Sequence, residues 1–444
     1  MQTLHFGTDG IRGNADLYPF TNEILTKIGK AIAQWSSEKY HTLQPKILIG
    51  HDTRMSCTRI KQALEDGLHA LGATITDAGV IPTPAILQLM KYDPSFNVGI
   101  VISASHNQYT DNGIKILDAQ SGKLSHDDEE RILEIFKTHS DKHETTEHFD
   151  LQPWQDASNV YEKNILSHFK KDSLHGLTVV LDCAHGATYK TAPELFEKLG
   201  AQVITINHTP NGKNINYHCG ALHPKQLQYA IKVHTADIGF AFDGDGDRVI
   251  AVNKHGEIKD GDDILDILCS HPEFKNETHI VGTIMTNHGF AQHLTKENKQ
   301  LIRTNVGDKY VAAQLEKQNL QLGGEASGHI IIKSYLNTGD GVFVALKTLE
   351  TLIKTNNLDM NTFPKYPQVL VNVPVTKKKS LEAEPYASII KEYIQKLENG
   401  RIIARYSGTE NLLRIMAEDC QYESAYTIAH TLAKRLQIAL SSKS

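Results

Sequence analysis

The chain has 444 residues, room for about two to four domains. Its net charge of −6 argues against the basic footprint of a nucleic-acid binder, and no apolar run reaches the ~18 residues that a membrane-spanning helix needs. The five cysteines are scattered without a C-x-x-C pair, which argues against a disulfide framework or thiolate zinc site.

The N-terminal MQTLHFGTDG lacks the basic region and apolar run of a signal peptide, so a reducing cytoplasm is the expected setting, with neither nucleic acid nor membrane as partner. Along the chain, strand-like runs alternate with helix-length amphipathic stretches. Lys46 to Gly50 reads as a buried strand, followed by apolar residues at helical spacing from Ser56 to Leu71. Val98 to Ile102 is the next strand and runs into a polar loop. Thr178 to Leu181, a helix from Ala192 to Leu199 and Val203 to Ile206 make a strand–helix–strand unit. Ile238 to Phe242 and Val249 to Val252 bracket a second polar loop. Such repetition predicts an α/β fold with largely parallel sheets, whose chemistry lies at the carboxyl ends of strands. Breaks are expected in the polar stretch Thr138 to Trp154, at the turn Lys254-His255-Gly256, and at Phe363-Pro-Lys-Tyr-Pro367 before a strand from Gln368 to Val373. Lys377 to Lys379 reads as a solvated turn, and His143-Glu-Thr-Thr-Glu-His148 spaces its histidines wrongly for a zinc helix.

Four loops carry chemistry-bearing residues. The first, Ile102-Ser-Ala-Ser-His-Asn-Gln-Tyr-Thr-Asp-Asn-Gly-Ile-Lys115, offers two serines, either a candidate nucleophile if a base or metal activates it. A capped strand-to-helix connection accounts for it equally well. The second, Asp243-Gly-Asp-Gly-Asp-Arg248, sets carboxylates at alternate positions, on one side of an extended segment. Carboxylates this crowded raise one another's pKa unless a cation neutralises them, and an all-oxygen site suits Mg²⁺. An EF-hand is excluded because Arg248 and Lys254 stand where it needs Gly and Glu. The third loop, Gly323-Gly-Glu-Ala-Ser-Gly-His329, suits a polyhydroxyl ligand, although a Gly-rich hairpin explains it too. The fourth, Arg405-Tyr-Ser-Gly-Thr-Glu-Asn-Leu-Leu-Arg414, gathers guanidinium, hydroxyls and a glycine amide as a phosphate monoester requires. Nucleophile, cation, hydroxyl-reading loop and phosphate clamp together spell phosphoryl transfer on a small polar substrate.

In this order the loops resemble the α-D-phosphohexomutase superfamily over nearly the whole chain. Phe6-Gly-Thr-Asp-Gly-Ile-Arg-Gly13, Asn211-Gly-Lys-Asn-Ile-Asn216 with Cys219-Gly-Ala221, Val306-Gly-Asp308 and Ser407-Gly-Thr-Glu410 narrow the resemblance to its bacterial phosphoglucosamine mutase branch. The resemblance implies four domains around a central cleft: three α/β domains with mixed, mostly parallel sheets over 1–153, 154–254 and 255–365, and a smaller α+β domain over 366–444. It implies a phosphoserine at Ser105, with Mg²⁺ held by Asp243, Asp245, Asp247 and a phosphate oxygen on Ser105. Arg12 and His106 are implied as catalytic neighbours, and Arg248, Glu325 and Ser327 as substrate contacts. Arg405, Ser407, Gly408, Thr409 and Arg414 map to the clamp for the non-reacting phosphate. Lys115 and His329 are the candidates for proton transfer, a role for which Lys115 needs a lowered pKa. The implied reaction turns glucosamine 6-phosphate into glucosamine 1-phosphate on the way to UDP-N-acetylglucosamine and cell-wall precursors. A sugar 1,6-bisphosphate is its intermediate and activator, and a hexosamine phosphate its small-molecule substrate, with room for a homodimer. The alternatives are a mutase for mannose or glucose phosphates, or a phosphosugar-binding homologue without turnover.

Overall fold

Apolar runs form the sheets, and the amphipathic stretches cover them. The computed structural model describes residues 3–7, 9–139, 152–407 and 411–441. The chain divides into two compact units, Met1–Glu277 with Asn305–Asn361 and Thr278–Thr304 with Thr362–Ser444.

In the first unit, a six-stranded sheet comprises β1 (Ile11–Asn14), β2 (Lys46–His51), β3 (Thr74–Val80), β4 (Val98–Ile102), β5 (Asp111–Asp118) and β6 (Gln152–Pro153), in the order β1-β5-β4-β2-β3-β6. β4, β2, β3 and β6 run parallel, while β5 returns antiparallel to β4 and carries β1 at its far edge. Every residue of β4 is buried, as a strand covered on both faces requires. The helix Asn22–Tyr40 buries Leu25, Ile28, Ile32 and Trp35 along one stripe, each contributing roughly 1.5–3 kcal/mol. A five-stranded sheet repeats the scheme with β7 (Thr178–Asp182), β8 (Gln202–Ile206), β9 (Ile238–Phe242), β10 (Val249–Asn253) and β11 (Ile258–Lys259), ordered β11-β10-β9-β7-β8. Here β8, β7 and β9 are parallel and β10 returns antiparallel to β9. The strands Leu322–Gly324 and Ile330–Ile332 form an antiparallel hairpin, so the third loop is a hairpin as one sequence reading had it.

In the second unit, His279–Thr283 and Gln300–Thr304 pair in parallel across the helix His288–Lys296. A three-stranded antiparallel sheet places Leu412–Glu418 between Gln368–Pro374 and Arg401–Tyr406. Leu413, Ile415, Leu432 and Leu436 belong to its core beside the helix Tyr422–Ser441. This is the smaller α+β portion that the resemblance implies. No described helix is long and apolar enough to cross a membrane.

One expected boundary shifts. The first polar loop ends at Thr110, and Asp111–Asp118 is a strand buried from Asn112 to Asp118. Its polar residues disguise it in the sequence, although each finds a partner inside the protein: Asn112 donates to Ser56, Lys115 to Asp245 and Asp247, and Asp118 pairs with Lys39. The segment His143 to His148 lies outside the described residues, as do Gly408 and Thr409.

Candidate active site

Two connections in the first unit carry most of the chemistry. β4 and β9 are the parallel strands bordering the antiparallel edge of their sheets, and residues 103–110 and 243–248 leave their carboxyl ends. Open α/β sheets gather ligands there.

Ser105 is fully buried, and its Oγ donates to Asp243 Oδ2 at 2.6 Å. Its φ of +52° is left-handed, a conformation that costs a non-glycine residue roughly 1–2 kcal/mol. Hydrogen bonds meet that cost. Ser105 N–H donates to Ser103 Oγ at 2.9 Å, and the Ser103 hydroxyl donates to Asp52 Oδ2 at 2.6 Å. Arg54 and Asn216 both donate to the Ser105 carbonyl at 2.9 Å. Ser103 is thereby a brace, and Ser105 is the serine facing the carboxylates. His106 Nδ1 stands 3.4 Å from Ser105 Oγ. Burial, then Arg248 and Arg12, push its pKa down to about 4, so the ring is neutral at neutral pH.

Asp243, Asp245 and Asp247 are buried, with carboxylate oxygens within 4.8 Å of one another. The glycines between them are sterically required. A Cβ on Gly244 would lie 2.6 Å from the Ser105 carbonyl oxygen, and Gly246 has φ +72°. Asp245 Oδ2 accepts from Thr83 Oγ1 at 2.5 Å. Asp245 Oδ1 and Asp247 Oδ1 are buried without a hydrogen-bond partner. Burial and the charges of Asp247 and Asp245 push the Asp243 carboxyl well above the usual carboxylate range. Orphaned oxygens and surplus negative charge are what a cation would satisfy, so this triad could bind a metal ion.

Lys115 reaches the same carboxylates from β5. Its Nζ lies 2.8 Å from Asp245, 3.0 Å from Asp247 and 2.7 Å from Asp9. Burial works against the ammonium, but these three charges outweigh it and raise the Lys115 pKa well above its ordinary value. A base role for Lys115 needs the opposite shift; the three carboxylates around its Nζ favour the charged ammonium. Arg12 donates to Asp9 at 3.0 Å, and Arg248 Nε lies 3.7 Å from Asp247 Oδ1.

His329 is buried, with Nδ1 3.8 Å from Asp247 Oδ1 and Nε2 accepting from Gly339 N–H at 3.1 Å. Burial disfavours the imidazolium, yet Asp247 and then Asp308 raise its pKa overall. The Gly339 amide opposes this, because it needs the Nε2 lone pair. The backbone fixes the direction of that amide, which favours an unprotonated Nε2. Glu325 Oε1 accepts from Gly307 N–H at 2.9 Å, and Ser327 Oγ is buried without a partner.

In the second unit, Arg405 and Arg414 are paired across adjacent antiparallel strands, which sets their side chains on one face. Two guanidiniums side by side repel unless an anion lies between them. Ser407 follows on the same turn and is buried. Lys378 Nζ donates to the Ser407 carbonyl at 2.6 Å, so the run Lys377 to Lys379 is not merely the solvated turn expected.

Sequence reasoning missed several residues of these sites. Asp9 lies within Phe6 to Gly13 and was within reach. Asn216 ends the quoted stretch Asn211 to Asn216 and Lys378 lies in the lysine run, yet neither was given a role; Arg54 and Thr83 carry no local signal, because their partners lie far away in the chain.

Comparisons with known proteins bear on the family of the chain. Models of the phosphoglucomutase/phosphomannomutase family match four successive stretches: α/β/α domain I over residues 3–143, domain II over 158–256, domain III over 260–363, and the C-terminal domain over 370–435. The phosphoglucosamine mutase of Chlamydia trachomatis serovar D is 40% identical over 96% of this chain and 95% of its own. That of Thermodesulfovibrio yellowstonii is 43% identical over 93% and 94%. Among solved structures, a phosphoglucomutase/phosphomannomutase family protein from Burkholderia thailandensis aligns with a TM-score of 0.79 at 22% identity, over 98% of both chains. Aspergillus fumigatus N-acetylphosphoglucosamine mutase, solved with GlcNAc-6P and magnesium, aligns at 0.71 with 18% identity over 99% and 96%. The two structures support the fold; the domain matches and the identity over nearly the full length establish that the chain belongs to the phosphoglucomutase/phosphomannomutase family.

Proposed function

We propose that this enzyme interconverts glucosamine 6-phosphate and glucosamine 1-phosphate in the cytoplasm, through a phosphoserine at Ser105 and a 1,6-bisphosphate. The observation that carries this reading is the fully buried Ser105 hydroxyl, 2.6 Å from Asp243 in a triad of crowded carboxylates. Four domains, over 1–153, 154–254, 255–365 and 366–444, are proposed to share the work.

Asp243, Asp245 and Asp247 would hold Mg²⁺ together with a phosphate oxygen on Ser105, since hard oxygen donors suit that ion. When bound, Mg²⁺ neutralises the phosphoserine and polarises the P–O bond to be broken. The residues do the rest. A sugar hydroxyl attacks the phosphorus; its new O–P bond forms as the Ser105 Oγ–P bond breaks, and the hydroxyl's proton passes by way of a phosphoryl oxygen to Ser105 Oγ, leaving a bisphosphate and a free serine. After the bisphosphate turns round, Ser105 Oγ attacks the other phosphate and loses its proton. Neutral His106, 3.4 Å away, is placed to take that proton. Lys115, held charged, serves as the acid that protonates the departing sugar oxygen. His329 first steadies Asp247, because both its ring nitrogens face protein groups. Arg248, Glu325 and Ser327 are proposed to read the sugar. Arg405, Ser407, Gly408, Thr409 and Arg414 are proposed to hold the idle phosphate, with Arg12 steadying the reacting one.

Isomerisation of glucosamine, glucose and mannose phosphates, assayed side by side, tests the reading. Glucosamine phosphate is expected to be turned over fastest. Preference for mannose or glucose phosphate would reassign the substrate, and no turnover of any would leave a binding protein.

A further inference from the structure

Arg54 lies outside every motif read from the sequence, yet it is the most heavily engaged cation beneath the serine loop. It is 2% exposed. Its Nε donates to Asp52 Oδ2 at 2.9 Å. One terminal nitrogen donates to the carbonyls of Ser105 at 2.9 Å and Asn107 at 2.8 Å. The other donates to Asp111 O at 3.1 Å and to Gln108 O. All five guanidinium N–H groups therefore have acceptors; three are carbonyls of the connection between β4 and β5, and a fourth is that of Asp111, the first residue of β5. Asp52 completes the circuit, because it also accepts from Ser103, whose Oγ accepts the Ser105 amide. Asn216 donates to the carbonyls of Ser105 and Asn107 at 2.9 and 3.0 Å.

Beyond these, the loop is tied at its two ends, where Ser103 N–H donates to Gly113 O at 3.0 Å and Thr110 O accepts from Ala15 N–H at 2.8 Å, and by Asn107 Nδ2 donating to Asp111 Oδ2 at 3.0 Å. Its internal backbone bonds are confined to short turns, Asn107 N–H to Ala104 O and Asp111 N–H to Gln108 O. Released from the guanidinium, Ser105 is held at φ +52° only by Ser103 on its amide and Asn216 on its carbonyl, so its Oγ is set less firmly against Asp243. A lysine cannot substitute, since a single ammonium has three donors and no planar fork.

We infer that Arg54 is a positioning residue for phosphoryl transfer: through the loop carbonyls it holds Ser105 in its left-handed conformation with Oγ against Asp243. This rests on the reading of Ser105 as phosphoryl carrier. It assigns Arg54 no contact with substrate, so substrate affinity is expected to survive its loss while the transfer rate does not.

The test uses the full chain with Arg54→Lys. Single-turnover phosphorylation of dephosphorylated enzyme by glucose 1,6-bisphosphate is followed by intact-protein mass spectrometry, beside steady-state kinetics and amide hydrogen exchange. Transfer to Ser105 should slow by about 10- to 100-fold, as expected of an ångström-scale misplacement, while KM stays within about twofold. Amides of residues 105–111 should exchange at least about tenfold faster, with β2, β4, β7 and β9 unchanged. A folded variant that transfers at the wild-type rate, or whose exchange rises uniformly through the first unit, overturns the inference. Should Arg54→Lys not fold, Ser103→Ala and Asn216→Ala replace it: each should show the same split between rate and KM, and unchanged transfer in both overturns the inference. Wild-type enzyme that takes no phosphate on Ser105 removes the carrier reading and this role with it, while the exchange pattern still reports whether Arg54 holds the loop.

Discussion

The connections β4–β5 and β9–β10 occupy the same place in their sheets but are braced by opposite means. The serine loop turns carbonyls inward and is held by a buried cation, Arg54, and by the amide of Asn216. The carboxylate loop is held by donors aimed at it: Thr83 N–H to Asp245 O at 2.9 Å, and Gly341 N–H to Gly246 O at 2.9 Å at the start of the helix Gly341–Thr355. That helix begins with its positive end toward the carboxylates, which favours their charge. The difference teaches that a loop is braced according to what it presents. A neutral nucleophile tolerates a cation beneath its backbone, whereas an acidic cluster needs donors and a counter-charge, supplied here by Lys115.

The largest expected effects break one loop or the other outright. Ser105→Ala should lower mutase turnover by at least ~10³-fold and leave the protein without added phosphate after incubation with a sugar bisphosphate. Phosphate found on Ser103, or full activity in the variant, would reverse the roles given to the two serines. Chelator-treated enzyme should be inactive and recover with Mg²⁺. Undiminished turnover without divalent metal would show that Lys115 alone satisfies the triad.

A smaller effect is expected from the second unit, where Arg405 and Arg414 stand opposite each other on adjacent strands. Arg405→Ala should raise KM for both monophosphates by about tenfold or more, as loss of a charge-assisted, forked contact does. It should also let bisphosphate escape before the second transfer, detectable as free intermediate by phosphorus NMR. Normal binding of both monophosphates without extra release would place the clamp elsewhere in the chain.

These contrasts explain what the sequence disclosed. The aspartates of 243–247 and Ser105 were legible because their chemistry is packed into contiguous residues at strand ends. The strands were legible where they are apolar throughout, as in Val98 to Ile102. β5 was not, since Asn112, Lys115 and Asp118 are polar and yet buried. Arg54 was illegible for a different reason. An arginine just before an amphipathic stretch looks solvated, and only the fold brings three carbonyls of a loop some fifty residues away, and that of Asp111 beyond it, onto its guanidinium. Nor does sequence disclose the charge balance at Lys115, which depends on Asp9 and two loop aspartates meeting at one nitrogen.

Where the two loops touch, Gly244 sharpens the comparison. Gly244→Ala would press a methyl against the Ser105 carbonyl at 2.6 Å and Asn216 Nδ2 at 2.6 Å, which a backbone shift must relieve. Such overpacking should cost about 1–3 kcal/mol of stability, read from denaturant unfolding. Because the shift displaces both loops, turnover should fall as well. Wild-type stability in this variant would mean that the loops part readily and are not mutually supported.

The smallest effect concerns the brace under the carboxylate loop. Asp340 caps the helix Gly341–Thr355 by accepting from Phe343 N–H at 3.1 Å, and it also accepts from the Tyr161 and Tyr335 hydroxyls at 3.1 and 2.9 Å. Burial pushes its pKa up to about 6 despite these donors. An unfolded Asp titrates near ~3.9, so between about pH 4 and 6 the folded state binds more protons than the unfolded one. Stability should therefore fall as pH rises through that window, by at most about 1.4 kcal/mol per pH unit, and level off above it. Asp340→Asn removes the titration while keeping a side-chain oxygen for Phe343 N–H. Unfolding measured at pH 4.5 and 7 should then lose less stability with rising pH in the variant than in the wild type, with turnover at neutral pH little changed. An identical pH dependence in the two proteins would mean that Asp340 stays ionised across the range and that its donors, rather than its burial, set its charge. The carboxylate loop would then rest on a charged cap, and both loops would be braced by a buried ion.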